Sequence, residues 1–459
     1  MSWQDRCAEL VADEGLDPSV LAVLQAFGGR AQGPTPPLEA LEVDPSTVAV
    51  ARVLADEVDA DQAALFQRRF RACAELLRPI SRVLRIGLLT RVREILEAPG
   101  PRALRVRACV DFYTSQGAVL RHAAPGMPRL VDLEPSWREV APEVEHALLE
   151  EKTAVGPVHI NLLRIGDARL QVADLRGTAD FAAEVSARGA VAGISGGFFL
   201  YSEPDIPPPF ERGEPVGLLA TDRLVAPPIF RRATLDADAH RLVTASMVGW
   251  EVLGHPIIGV NALLDGAVVF NRAWGRSAPE GRYNVAVAHE VVEESSHIPL
   301  NGFVLSLPDR APLGPLVWPS VQNKLAGGPW LLRDGEVSLE LAPEDFAGDA
   351  PPITFSRDET FDQNLLPRMA VGRGPDGLIF AAVDGRNFER APGLTLRSTA
   401  ELLRALGCTE AMNLDGGSSK RMVVDGRVVD LATTELVQAA RSTRTRPVRN
   451  GVLVLRARP

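Results

Sequence analysis

A chain of 459 residues is too long to bury its apolar surface in one small core, and it reads as two domains. Apolar residues make up 46% and charged residues 24%, the balance of an ordinary globular protein; the net charge of −10 excludes a basic field for nucleic acid. No run approaches the ~18 apolar residues of a membrane helix, so no membrane partner is expected.

Residues 1–128 read as a helical accessory domain. Asp17-Pro18-Ser19 opens a helix that stops at Gly28-Gly29. From 46 to 96, Val50, Val53, Leu54, Leu65, Phe66 and Phe70 recur at helical spacing, and Pro79 breaks the pattern into two helices. A further helix is expected over 103–122. The first residues carry acids early and lack the basic and apolar regions of a signal peptide. Cys7, Cys73, Cys109 and Cys408 show neither pairing nor metal-like spacing. Both observations lead to the expectation of a reducing, cytoplasmic setting.

Residues 129–459 have a different texture. Asp-Gly occurs at Asp265, Asp334, Asp376, Asp384, Asp415 and Asp425, and between apolar runs this dipeptide is a strong hairpin signal. Two stretches keep helical character, 178–188 and 395–406. The second has Ser398 or Thr399 as N-cap, with Glu401 nearby, and ends at Gly407. The expected class is therefore α+β: a mixed, mostly antiparallel sheet domain with helices, preceded by the helical N-terminal region.

Two familiar patterns fail on context. Gly372-Arg373-Gly374-Pro375-Asp376-Gly377 matches a dinucleotide-binding loop but runs into a strand where such a loop must open a helix. His289-Glu290-Val291-Val292-Glu293 falls one residue short of the zinc-protease pattern and alternates like a strand. No cofactor and no metal site is assigned. Oxygen ligands for Ca²⁺ leave little trace in sequence, so that ion stays open.

Chemistry concentrates in two glycine turns. Over 411–430 an apolar run ends in Asn413-Leu414-Asp415, followed by Gly416, Gly417, Ser418 and Ser419. Over 190–201 a similar run ends in Ser195-Gly196-Gly197-Phe198-Phe199. Such turns let backbone approach a ligand and offer amides to an anion, while a plain Asp-Gly hairpin turn is the competing explanation. The short arginine-rich tail at 441–449 reads as a solvated connection.

Together with Ile298-Pro299-Leu300-Asn301-Gly302, Gly327-Gly328-Pro329 and the segment 367–386, these blocks resemble, in matching order, the phosphodiester glycosidase family. The resemblance covers roughly 130–457. It departs at Ser195, where the family usually has Asn, and at Ser418, Lys420 and Arg421, which replace a Gly and hydroxyl residues.

The resemblance implies a hydrolase that releases a sugar from a sugar-1-phosphodiester, with a phosphorylated carbohydrate or nucleotide-sugar-like substrate as partner. Such chemistry needs a carboxylate for an oxocarbenium-like transition state and a donor-rich cradle for the phosphate. Asp415 is the first carboxylate candidate and Asp384 the second. Arg368 and Arg386 are the candidate phosphate ligands, with structural salt bridges to Asp384 or Asp415 as the alternative. Gly196, Gly197, Gly416 and Gly417 would present amides and Ser418 or Ser419 a hydroxyl; Ser195, Phe198 and Asn413 complete the substrate-binding set. A non-catalytic carbohydrate- or phosphosugar-binding module on the same scaffold is the alternative. A structural role dominated by the helical half is the third reading.

Overall fold

A computed structural model describes residues 134–153, 156–178, 180–201, 206–339, 344–345, 366–385, 391, 393–431 and 446–456. The helices expected within 1–128, and Arg386, lie outside the described residues.

The expected α+β class is overturned. The described residues form 25 strands and only two α-helices, Phe181–Ala187 and Leu396–Ala405. Both helices are short connectors. Phe181 and Val185 of the first join a small cluster with Leu175, Val423 and Leu453, so the helix covers one patch of sheet and builds no layer. Two helical stretches among repeated Asp-Gly turns gave an impression of mixed architecture that the strand count corrects.

The largest sheet has eight strands in the order Arg138–Ala141, Val144–Thr153, Gly156–Ile165, Gly377–Val383, Arg368–Gly374, Glu410–Leu414, Trp330–Arg333 and Glu336–Val337. A five-stranded sheet runs Arg427–Val428, Met422–Val424, Ala190–Ser195, Asn450–Leu455 and Arg169–Asp174. A second five-stranded sheet centres on Lys324–Ala326 and Arg232–Asp236, and a third on Val268–Phe270 and Phe303–Leu307. The register-defined pairings are antiparallel except that of Gly259–Val260 with Val268–Phe270.

One apolar core gathers Leu163, Ile194, Leu235, Phe380, Met412 and Val452 from the eight-stranded sheet and the first two five-stranded sheets. Burying side chains of this size contributes about 1.5–3 kcal/mol each before conformational entropy is set against it. A second core, with Phe198, Phe230, Val285 and Phe303, lies against the third five-stranded sheet. Among the described residues no helix is long and apolar enough to cross a membrane.

The Asp-Gly pairs sort by geometry. Asp334-Gly335 and Asp425-Gly426 have positive φ at both residues, 51° and 80°, then 51° and 72°, as a two-residue hairpin turn requires. Asp376-Gly377 closes the long hairpin of Arg368–Gly374 with Gly377–Val383. Asp384 and Asp415 instead stand at strand ends, after Val383 and Leu414.

The cap of Leu396–Ala405 is Thr395, not Ser398 or Thr399. Its Oγ1 accepts from the Ser398 amide at 2.9 Å, while the Thr399 hydroxyl donates to the Thr395 carbonyl at 2.8 Å. Leu394 is held extended by its bridge to Leu366, which fixes where the helix can begin. Thr395→Ala should therefore destabilise the protein by about 1 kcal/mol in urea unfolding. Thr395→Ser should retain most of that stability, and Glu401→Ala should stay within about 0.5 kcal/mol because Glu401 is not the cap partner.

Candidate active site

The two glycine turns meet. Ala190–Ser195 and Glu410–Leu414 belong to different sheets, yet each delivers its turn to the same place, and the Asp415 amide donates to the Gly196 carbonyl at 2.9 Å. The Ser195 amide donates to the Arg421 carbonyl, and the Arg421 amide to Ser195 Oγ, both at 2.9 Å. On the far side Asn450 clamps the first turn. Its carbonyl accepts from the Gly196 amide at 3.0 Å, its Oδ1 accepts from the Gly197 amide at 2.6 Å, and its Nδ2 donates to the Gly197 carbonyl at 3.2 Å.

Glycine is required here by crowding. A Cβ on Gly197 would lie 2.2 Å from the Ala326 carbonyl oxygen, and one on Gly416 would lie 2.5 Å from that of Pro367. The Gly417 amide donates to the same Pro367 carbonyl at 2.9 Å. The amides of Gly196, Gly197 and Gly417 thus hold the turns to their neighbours, a different use from the substrate cradle expected of them.

The remaining predicted residues divide between lining and support. Asp415 is half-buried at the junction, and Ser418 and Ser419 are buried on the 3-10 turn Gly417–Ser419. Asn413 Nδ2 donates to the Gly328 carbonyl at 3.2 Å. Arg368 is buried, with Nε donating to the Leu394 carbonyl at 3.0 Å. Phe198 packs into the second core. Among the described residues no group of three or more His, Cys, Asp or Glu side chains is placed to hold a metal ion.

Asp384 is the hub of a buried charge network. Its Oδ2 meets His159 Nδ1 at 2.5 Å, while its Oδ1 pairs with Lys420 Nζ and accepts from the Leu431 amide at 3.1 Å. Lys420, with no exposed side-chain surface, also reaches Asp430 Oδ2 at 2.7 Å, and Arg421 Nη1 meets the same oxygen at 3.1 Å. The Met422 amide donates to Asp430 Oδ1 at 2.7 Å. The departures at Lys420 and Arg421 are therefore absorbed inside the protein by Asp384 and Asp430.

Sequence reasoning missed His159, Asp430, Asn450 and Arg446. The anomalous Lys420 was the one signal that a buried acid had to be close by. Arg446, from the tail read as a solvated connection, is half-buried: Nη1 donates to Ser419 Oγ at 2.8 Å and the guanidinium lies 3.6 Å from the centre of the Tyr201 ring.

Burial alone would raise the Asp384 carboxyl, but the His159 hydrogen bond, the Lys420 charge and the Leu431 amide together hold it below its ordinary 3.8. A carboxyl lowered on folding stabilises fully above its unfolded value, and that contribution is lost as pH falls through the folded-state value. Asp384→Asn should cost about 3 kcal/mol at neutral pH, because it strips one of two carboxylates from a buried ammonium. The variant should also flatten the acid limb of stability against pH, measured by urea unfolding below pH 5, the region in which such acid losses begin.

Residues 259–455 match the sequence profile of a family described as phosphodiester glycosidase. The chain is 34% identical over 104 residues to N-acetylglucosamine-1-phosphodiester alpha-N-acetylglucosaminidase of Mus musculus, covering 22% of this chain and 19% of that protein. It is 30% identical over 132 residues to the SPbeta prophage-derived uncharacterized protein YomE of Bacillus subtilis, covering 28% of this chain and 18% of that one. The chain thus spans less than a fifth of either relative. The zebrafish N-acetylglucosamine-1-phosphodiester alpha-N-acetylglucosaminidase catalytic domain, auto-inhibited by its pro-peptide, superposes with a TM-score of 0.36 at 16% identity, over 71% of this chain and 87% of that one. The match to the phosphodiester glycosidase family is thus carried by residues 259–455, the segment that holds Asp384, Asp415 and the Ser419 turn.

Proposed function

We propose that the protein hydrolyses a glycosyl-1-phosphodiester, releasing the sugar from a sugar-phosphate diester, with Asp415 as the carboxylate that serves the reaction. The supporting observation is the hydrogen bond from the Asp415 amide to the Gly196 carbonyl, which sets a half-buried carboxylate at the junction of two glycine turns. Asp384 is less suited to that role. Its oxygens are engaged by His159, Lys420 and the Leu431 amide, and its side chain is buried.

In the reaction the C1–O bond breaks with its electron pair left on the phosphate oxygen. A phosphate monoester is a good leaving group, so little protonation is needed. The developing positive charge at C1 is what the Asp415 carboxylate would stabilise, as the carboxylates of other glycosidases do. Water supplies the hydroxyl to C1, and its proton passes to the released phosphate monoester or to solvent.

A second reading, a binding module without turnover, is favoured by one observation: the Ser195 hydroxyl accepts the Arg421 amide and so takes a structural place in the first turn. Assaying purified protein against UDP-sugars and other sugar-1-phosphodiesters separates the two. Turnover that Asp415→Asn lowers by about 10²–10³, with unchanged thermal stability, is the expected result, since an amide fills the same space without the charge. Saturable binding without turnover would establish the binding module instead. Full activity in Asp415→Asn would remove Asp415 from the mechanism.

A further inference from the structure

We infer that Arg272 and Arg276 form a binding site for a phosphate-class oxyanion, an assignment independent of the chemistry proposed for Asp415.

Arg272 differs from the other buried arginines. Arg232 donates from Nη2 to the Asp345 carbonyl at 3.2 Å, Arg368 from Nε to the Leu394 carbonyl at 3.0 Å, and Arg421 meets Asp430 at 3.1 Å. Arg272 is only 9% exposed, yet among the described residues its guanidinium makes no ion pair, and its buried Nε has no hydrogen-bond partner. A buried cation is costly unless carboxylates or hydrogen bonds replace its water. An anion docked on the guanidinium would supply both, and the residue's remaining exposure leaves an approach from solvent.

The charge balance points the same way. Burial, and after it the Arg276 charge, lower the Arg272 guanidinium below its ordinary 12.5, with no carboxylate acting in the other direction. At Arg232, by contrast, the charges of Asp345 and Glu344 act to raise it. Asp345 does reach the turn that carries Arg272, through Asn271 Nδ2 at 3.1 Å, but it is already engaged by Arg231 and Asn261. Arg276 is exposed and makes no ion pair among the described residues. Two like charges repel, and one anion held by both would relieve that repulsion.

The backbone beneath Arg272 is fixed. Asn271 is fully buried: its Oδ1 accepts from the Ala273 amide and its carbonyl from the Trp274 amide, both at 2.9 Å, while Nδ2 donates to the Ile229 carbonyl at 2.8 Å. Trp274 meets Phe270 edge to face, with ring centres 4.9 Å apart. A guanidinium rooted in such a turn loses less freedom when a ligand docks. Its planar fork suits the paired oxygens of a phosphate group.

The test is calorimetric titration of the full chain with inorganic phosphate and with glucose 1-phosphate, together with thermal melts with and without phosphate. Arg272→Met should weaken phosphate by about 10–100-fold, the loss expected for hydrogen bonds to a charged group. Without phosphate the same variant should melt at or above the parent, because it removes a buried charge that nothing in the protein offsets. Arg276→Ala, at an exposed position, should weaken phosphate by about 2–5-fold. Tighter binding of glucose 1-phosphate than of inorganic phosphate would mark the ligand as the phosphate group of a larger ester, and equal binding would mark a free anion. No phosphate binding by the parent, or binding by Arg272→Met equal to the parent's, would overturn the assignment. So would a lower melting point of Arg272→Met without phosphate, which marks a structural role. None of these readouts needs turnover, so failure of the hydrolase reading would leave the assignment standing.

Discussion

A lysine ammonium with no exposed side-chain surface is the constraint around which this region is built. Such a charge is tolerated only where carboxylates and hydrogen bonds replace its water. Lys420 lies just before Met422–Val424 of one sheet, whereas Asp384 ends Gly377–Val383 of another. Their pairing fixes two sheets together at the strand ends that carry the candidate chemistry. Asp430 completes the compensation and also takes the Met422 amide, so the start of that strand is set by the same charges. A buried ion pair of this kind is weak evidence for net stability, since two desolvated charges recover little more than they cost. Its effect here is positional: the network holds Asp384 opposite His159 and keeps the 417–421 turn in place.

That rigidity explains the use made of glycine. The two turns are joined by backbone contacts too close for a Cβ, and the amides of Gly196, Gly197 and Gly417 are spent on Asn450 and Pro367. Under the proposed function, recognition of a ligand falls to side chains carried by the turns and their neighbours. Packing glycine against backbone costs the chain conformational entropy on folding, but it sets Asp415 on a rigid base, the condition under which a charge can stabilise a transition state without first reorganising.

The sequence made local structure legible where one residue type settles the geometry. Asp334-Gly335, Asp376-Gly377 and Asp425-Gly426 all close hairpins, and the two decoy motifs are strand turns: His289 stands between Tyr283–Ala288 and Val291–Glu294. Legibility failed where tertiary structure decides. Thr395, Ser398 and Thr399 are equally good cap types, and only the extended bridge of Leu394 to Leu366 selects the first. The α+β expectation failed for a related reason, because the strands that outnumber the helices include many of two or three residues, too short to show alternation. His159 lies 225 positions from Asp384, and nothing in the residue pattern reports so distant a partner. Arg446 looked like one more charge in a basic tail, because an arginine's aromatic platform is contributed by residues far away in the chain.

The same distinction bears on how family resemblance carries over to individual positions. Read position by position, Ser195 and the altered 418–421 loop depart from the family pattern in the two blocks expected to touch substrate, which is the ground for the binding-module alternative. The structure gives Lys420 and Arg421 another place. Each meets Asp430, ten and nine residues on, and Lys420 also meets Asp384, so two cations face two carboxylates inside the protein. Opposed charges in contact largely cancel beyond a few ångströms, so this buried set adds little to the field outside the turn. Lys420 and Arg421 are therefore accounted for by packing inside the protein, and neither counts against the proposed hydrolase.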